Sequence, residues 1–195
     1  MVVTSDVSRC SWAVGGAVPD PLMVEYHDAE WGVPVDDDVD LFERLALESF
    51  QAGLSWSTIL RKRDAFRTAF RGFRPEVVAA FDDADRERLI ADASIVRNGA
   101  KIDATIRNAA AFIETSREHG GFGAYLATFV PPPPRRLPPD AVAGAIPAST
   151  PVSDALSRDL RRRGFGFVGS TIVYAFMQSV GLVDDHVPAC FRYRG

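Results

Sequence analysis

Four residues of this 195-residue chain have the types and positions of a metal clip. Cys10 and Cys190 are the only two cysteines and stand near opposite ends. His27 follows the first and His186 precedes the second. Thiolate and imidazole are the ligands zinc prefers, and two of each close a four-coordinate site with no position left for water; such a site is structural rather than catalytic. His186 and Cys190 are at i and i+4, so one helical turn would project both from the same face, with Pro188 tolerated only in a first turn. The spacing from Cys10 to His27 is looser than that of a zinc knuckle. On these residues alone three readings stay open: a zinc clip, a Cys10–Cys190 disulfide, or buried thiols and imidazoles with no further role.

A second group surrounds Glu48. Helical periodicity puts Glu48 on one face with Leu41, Leu45 and Ala52, where a carboxylate is costly unless it is paired. It is either a salt-bridged residue at a helix edge or a carboxylate facing a pocket, where burial and a ligand's charge would tune it. Tyr26 and Trp31 lie in "EYHDAEWG" and Trp56 in "GLSW". Aromatic residues are most often core. Beside one carboxylate they are also what a pocket for a flat cationic ligand requires, with stacking and cation–π faces and one anion. A third group is the glycine-bearing turn in "RRRGFGFVGSTIVYAF". Gly166 and Gly169 would let the backbone approach a partner, and the helix that follows offers free N–H groups at Ser170 and Thr171, enough to hold one phosphate without a lysine. The basic runs Arg61–Arg63 and Arg161–Arg163 read as solvated faces. Covalent catalysis finds no support: "GSTIV" is no nucleophile elbow, His119 has no paired acid, and the chain's two lysines, Lys62 and Lys101, are far from the turn in sequence.

The elements that position these groups are helical. "DDDVDLFERLALESFQAGL" opens on capping aspartates, and "SWSTILRKRDAFRTAF" opens on a capping Ser55. "RPEVVAAF" and "ADRERLIADASI" read as shorter helices. "KIDATIRNAAAFIETSREHGG" is a helix closed by Gly120, followed by a short one in "GAYLATFV". Residues 131–151 hold four consecutive prolines and more beyond, which predicts an extended surface connector rather than a domain boundary. From Ser153 a capped helix runs to Gly164, and residues 170–180 form a last apolar helix stopped by Gly181. No alternating strand pattern is found, so the expected fold is all-α, a single domain over residues 1–195.

Composition narrows the function classes. With 47% hydrophobic and 25% charged residues the chain is a globular protein. A net charge of −4 argues against a general polyanion binder, so any nucleic-acid contact needs a local basic patch. The first ten residues lack an apolar core and a cleavage signal, which predicts a cytoplasmic protein whose thiols are reduced. Residues 165–183 approach the length of a membrane span behind three arginines, but Ser170, Thr171, Gln178 and Ser179 make a buried core helix the better reading, with no membrane partner.

Taken together, "RCSW", "YHDAEWG", "LESFQAGLSW", "RRGFGFVGSTIVYAFMQSVGLVDDH" and the final His-x-x-x-Cys resemble the DNA-3-methyladenine glycosylase I family, in the expected order over residues 9–190. The resemblance implies an all-helical helix-hairpin-helix glycosylase domain, its hairpin unit at about residues 153–180. It also implies one structural zinc per chain on Cys10, His27, His186 and Cys190, joining the two termini. It assigns the active-site glutamate to Glu48, base-stacking aromatics to Tyr26 and Trp56, a further pocket tryptophan to Trp31, and the hairpin's hold on the DNA backbone to Gly166, Gly169, Ser170 and Thr171. The implied reaction is hydrolytic release of 3-methyladenine from alkylated double-stranded DNA, with the free base as product and no obligate protein partner. Without a hairpin lysine it should be monofunctional. Two features depart from the family pattern, the turn "RNGAKI" at 97–102 and the proline tract at 131–134. Relatives in the wider superfamily use an aspartate soon after the hairpin helix, near Asp184 and Asp185.

Overall fold

The structure is a computed structural model that describes residues 7–141 and 146–194. The part of the connector at 142–145, and the start of the N-terminal stretch read above for a signal, lie outside the described residues. Ten α-helices, one 3-10 turn and one pair of two-residue strands make up the described chain. The all-α expectation holds for all but that strand pair.

Each long helix starts where its sequence supplies an acceptor for the free N–H groups of its first turn. Asp37 caps α3 (Asp38–Gln51), Ser55 caps α4 (Trp56–Ala69), and Asn98 caps α7 (Gly99–His119). α7 ends on Gly120 in the left-handed conformation, as the Gly120 reading requires. Between α4 and α7 lie α5 (Pro75–Ala79) and α6 (Asp83–Ala91), and α8 (Phe122–Ala127) follows α7. α9 (Pro151–Arg162) begins two residues before the expected Ser153, because Thr150 caps it and Pro151 fits the first helical position. Two N-terminal helices, α1 (Ser11–Val14) and α2 (Pro21–Ala29), had no helical expectation. The Asp20-Pro21 pair, a cap followed by proline, is the signal that marks the second.

α3 is the central helix. Leu41, Phe42, Leu45 to Leu47 and Phe50 are buried on it, packed with Phe66 and Phe70 of α4, Ile102, Ala109 and Phe112 of α7, and Val173, Phe176 and Met177 of α10 (Ser170–Ser179). α10 is the apolar segment weighed above as a membrane span. It is ten residues long and mostly buried between α3 and α9, and no described helix is long and apolar enough to cross a membrane. It ends at Gly181, where the left-handed backbone (φ 70°) brings the chain so near Pro34 that a Cβ would lie 2.4 Å from its nitrogen. No residue but glycine fits there.

The connector is less free than expected. Arg135–Arg136 (β1) pairs in parallel with Val183–Asp184 (β2), Arg135 opposite Val183, and Leu137 is buried beside them. Two residues are too few to leave an alternating pattern in a sequence, which is why the pair was not expected. It brings the connector against the C-terminal segment. There a second, smaller apolar cluster forms from Cys10, Tyr26, Trp31, Leu60, Leu137, Val187 and Cys190, with Trp12, Met23 and Trp56 packed on it.

Candidate functional site

This second cluster contains two polar centres. In the first, the ligand atoms of Cys10, His27, His186 and Cys190 lie within 4.8 Å of one another, all buried. Cys190 Sγ stands 3.4 Å from His27 Nε2 and 3.6 Å from His186 Nδ1, and Cys10 Sγ is 3.7 Å from the same His186 nitrogen. The two cysteines are not bonded to each other. His186 and Cys190 do not lie on a helix, contrary to the i, i+4 expectation. Residues after β2 run through turns, with Cys190 N–H donating to the Val187 carbonyl, and Pro188 sits in a turn where it interrupts nothing.

The atoms that face inward are fixed by what the other ring nitrogens bond. His27 Nδ1 is 2.7 Å from Asp28 Oδ1, and Asp28 is gripped by the Arg9 guanidinium at 2.7–2.9 Å. His186 Nε2 is 3.2 Å from the Trp31 carbonyl. Such partners set tautomer and ring orientation in metal sites. The Arg192 N–H donates to Cys190 Sγ at 3.4 Å. Burial pushes the Cys10 thiol up and both imidazoles down, which disfavours every charged form; a bound cation reverses that preference for the thiol. The cluster can hold a metal ion.

The second centre is a cavity of about 280 Å³ lined by Trp12, Met23, Tyr26, Trp31, Glu48, Gln51, Trp56, Ile146, Ala175 and Gln178. It thus brings together all four residues singled out in sequence: Glu48, Tyr26, Trp31 and Trp56. Glu48 is 4% exposed, and it is the only carboxylate among the described residues of the wall. Burial raises it to about 8, against a smaller opposing pull from Arg44. Arg44 itself is bound to Glu30 at 2.8 Å, and Arg63 holds the same carboxylate. Burial also raises the Tyr26 phenol, and the Glu48 charge adds to the effect. Tyr26 and Trp56 have ring centroids 5.2 Å apart. The indole N–H groups of Trp12 and Trp56 are buried with no acceptor among the described residues. Trp12, Gln51 and Gln178 were not assigned from sequence. Each sits inside a quoted motif, "RCSW", "LESFQAGLSW" or "AFMQSV", but only the fold shows which side chains turn to the cavity.

The C-terminal end of α3 carries Gln51 into this wall and is held from below. Lys101 Nζ donates to the Phe50 and Ala52 carbonyls at 2.8 and 2.6 Å, a cation at the C-terminal end of α3. Lys62 is likewise engaged, with the carbonyls of Ala93 and Ser94.

The α9–α10 turn lies behind α3. Three consecutive carbonyls in it accept from buried side chains: Gly166 from Asn108 Nδ2 at 3.0 Å, Phe167 from Ser49 Oγ at 3.1 Å, and Val168 from Ser157 Oγ at 2.6 Å. Ser49 is the residue after Glu48, so one turn of α3 serves both the cavity and this turn. Gly166, expected to let the backbone approach a partner, also packs within the fold. A Cβ there would meet Ala104 at 3.2 Å, and its N–H donates to Asn108 Oδ1 at 2.8 Å. That N–H is not free for a phosphate. Gly169, Ser170 and Thr171 form the N-terminal end of α10, with no side-chain cap.

The remaining candidates are absorbed by the fold. His119 bonds the Thr115 carbonyl of its own helix. Arg61 and Arg63 are paired with Asp20 and Glu30, and Arg162 and Arg163 with Asp159. Asp184 approaches Arg136, and Asp185 is fully buried, bonded by Tyr174 and Gln178 and outside the cavity wall.

With this geometry in hand, similarity to known proteins is specific. The methyladenine glycosylase family model matches residues 16–193. DNA-3-methyladenine glycosylase 1 of Escherichia coli (strain K12) is 46% identical over 189 residues, 97% of this chain and 98% of that protein. A crystal structure of 3-methyladenine DNA glycosylase I superposes with a TM-score of 0.90 at 44% identity, covering 96% of this chain and all of that one. A tyrosine-to-phenylalanine variant of 3-methyladenine DNA glycosylase I, crystallised in complex with 3-methyladenine, superposes at 0.86 with 34% identity over 93% of this chain and 98% of that one.

Proposed function

This chain belongs to the methyladenine glycosylase family, and from that premise we propose that it is a monofunctional DNA glycosylase of base excision repair. It hydrolyses the N-glycosidic bond of 3-methyladenine in alkylated double-stranded DNA and releases the free base. The observation that carries the reading is Glu48, a buried carboxyl group at the wall of a small aromatic cavity, raised to about 8.

Methylation at N3 puts a positive charge on the adenine of a nucleotide. In the empty cavity near neutral pH the raised Glu48 is mostly protonated. A cationic base favours its ionised form, whereas ordinary adenine, uncharged, offers no such compensation. Tyr26, Trp31 and Trp56 supply π faces for the same ring, each stacked aromatic contributing about 1–3 kcal/mol. A cavity of about 280 Å³ admits a base only once it has left the duplex, which calls for a flipped nucleotide. The charged base is a good leaving group. It departs as a neutral molecule with the electron pair of the C1′–N9 bond, and water adds to the oxocarbenium-like C1′ and gives up a proton. Glu48 therefore serves chiefly to recognise and hold the base.

The α9–α10 unit is read as a helix-hairpin-helix. Gly169, Ser170 and Thr171 offer N–H groups to a DNA phosphate, and the bonds from Ser49, Asn108 and Ser157 turn the carbonyls inward. Monofunctional action agrees with the lysines: the side-chain amines of both are bound to backbone carbonyls rather than turned to the cavity.

The resident ion of the cysteine–histidine cluster is taken to be zinc, one per chain, held by Cys10, His27, His186 and Cys190. A tetrahedron with Zn–S near 2.3 Å and Zn–N near 2.0–2.1 Å separates sulfur from nitrogen by about 3.5 Å. The sulfur–nitrogen separations of 3.4–3.7 Å in the cluster fit it. Its contribution would be to folding, because all four positions are filled by protein.

The test is release of 3-methyladenine from methylated duplex DNA. Wild-type protein should liberate the base, and Glu48→Ala and Trp56→Ala should lose release while retaining DNA binding. If wild-type protein frees no 3-methyladenine, the enzymatic reading fails. Strand scission at the abasic product without added base would contradict monofunctional action, and elemental analysis should find one zinc per chain.

A further inference from the structure

Gln178 is one of two amide side chains of the cavity wall, with Gln51, whose role the base-release reading leaves unassigned. It stands on α10 one turn after Ala175, and both line the cavity. Its Nε2 donates to Asp185 Oδ2 at 2.8 Å. The NH₂ end of the amide thus faces Asp185, and the carbonyl oxygen Oε1 is turned away from it. Asp185 holds this orientation through Oδ2, while its Oδ1 is buried with no partner among the described residues. It is fully buried, and the same Oδ2 also accepts from the Tyr174 hydroxyl at 2.6 Å. The Gln178 amide oxygen on α10 is thus an acceptor in the cavity wall beside Glu48 on α3.

We propose that Gln178, held by Asp185, selects purines that carry an amino group at C6. Adenine presents an amino group with two hydrogens at C6, one for each acceptor, whereas guanine carries a carbonyl oxygen at that ring position, which an amide oxygen repels. Gln178 is a specificity-determining residue and Asp185 its positioning residue. The inference rests on the base-release reading and goes beyond it, to which methylated purine is taken.

The test compares release of 3-methyladenine and 3-methylguanine from methylated duplex by wild type, Gln178→Met and Asp185→Asn. Methionine keeps the length and helix propensity of glutamine and removes the acceptor. The preference for 3-methyladenine is expected to fall about tenfold in Gln178→Met, the scale of one lost hydrogen bond. It falls also in Asp185→Asn, whose amide lets Gln178 turn round. A general loosening of the fold slows both bases alike and leaves the ratio unchanged. An unchanged ratio in Gln178→Met, beside a wild type that releases 3-methyladenine, overturns the selection by Gln178 and leaves the base-release reading standing. A wild type with no preference between the two bases does the same. A wild type that releases neither base overturns both.

Discussion

The metal cluster and the cavity share a wall, yet they treat buried polar groups in opposite ways. Trp12 and Trp31 are the shared residues: Trp12 packs edge-on against His27 at 5.3 Å and against Trp31 at 4.9 Å, and Trp31 packs against His186 at 4.7 Å. On the cluster side the imidazoles are braced, His27 by Asp28 and Arg9 and His186 by the Trp31 carbonyl. On the cavity side Glu48 is left with burial and only a weak opposing field, and two indole N–H groups have no acceptor among the described residues. A polar group that is fully satisfied stabilises one geometry; a buried one left open is a cost to the fold that a ligand can relieve. The first pattern is that of a fastener and the second that of a binding site.

The sharpest way to break the contrast is to remove a ligand from the fastener. Cys190→Ala should release the metal and destabilise the protein by roughly 3–5 kcal/mol, the range for loss of a structural metal or a buried network. Thermal melts with elemental analysis measure both. A variant that melts with wild type would show that the four residues fasten nothing.

Glu48 should behave in the reverse sense. Its carboxyl is raised in the folded state, from 4.5 to about 8, so the native protein binds more protons than the unfolded chain between those values. Stability is therefore highest at acid pH and falls as pH rises through that window, by up to a few kcal/mol, with no further loss above it. Glu48→Gln should flatten this fall and match or exceed wild-type stability at pH 9, while base release drops. Parallel stability–pH profiles for the two proteins would remove the claim that Glu48 is buried at a cost.

The smallest effect expected is at the joint between the cavity and the α9–α10 turn. Ser49→Ala removes a hydroxyl shared between the Leu45 carbonyl of its own helix at 2.9 Å and the Phe167 carbonyl at 3.1 Å, worth about 1 kcal/mol. DNA affinity should weaken several-fold while affinity for free 3-methyladenine holds. Equal losses for both ligands would mean that Ser49 supports the cavity rather than the turn.

Legibility in the sequence differed between the same two regions. Cluster ligands announce themselves by rarity, since two cysteines and three histidines leave few combinations. Their bracing does not: Arg9 and Asp28 are ordinary surface types, and their pairing depends on how α2 meets the N-terminal segment. In the cavity, Glu48 stood out because its periodicity puts a carboxylate among leucines. Gln178 and Gln51 carry no such conflict, because an amide is unremarkable on a helix of either kind. Gly166 is ambiguous for a related reason. A glycine signals close approach without saying to what, and the neighbour that a Cβ would meet here is Ala104.

Caps, periods and residue chemistry are local, so the chain by itself determined that it would be helical, where most helices begin and end, which four residues suit a metal, and that Glu48 was a carboxylate in a costly place. Whether the two ends meet, which way a histidine ring faces, and which side chains turn into one cavity depend on residues far apart in sequence. Packing around α3 decided those, by bringing Cys10 to Cys190, the Asp185 carboxylate to Gln178, and the Ser49 hydroxyl to the Phe167 carbonyl.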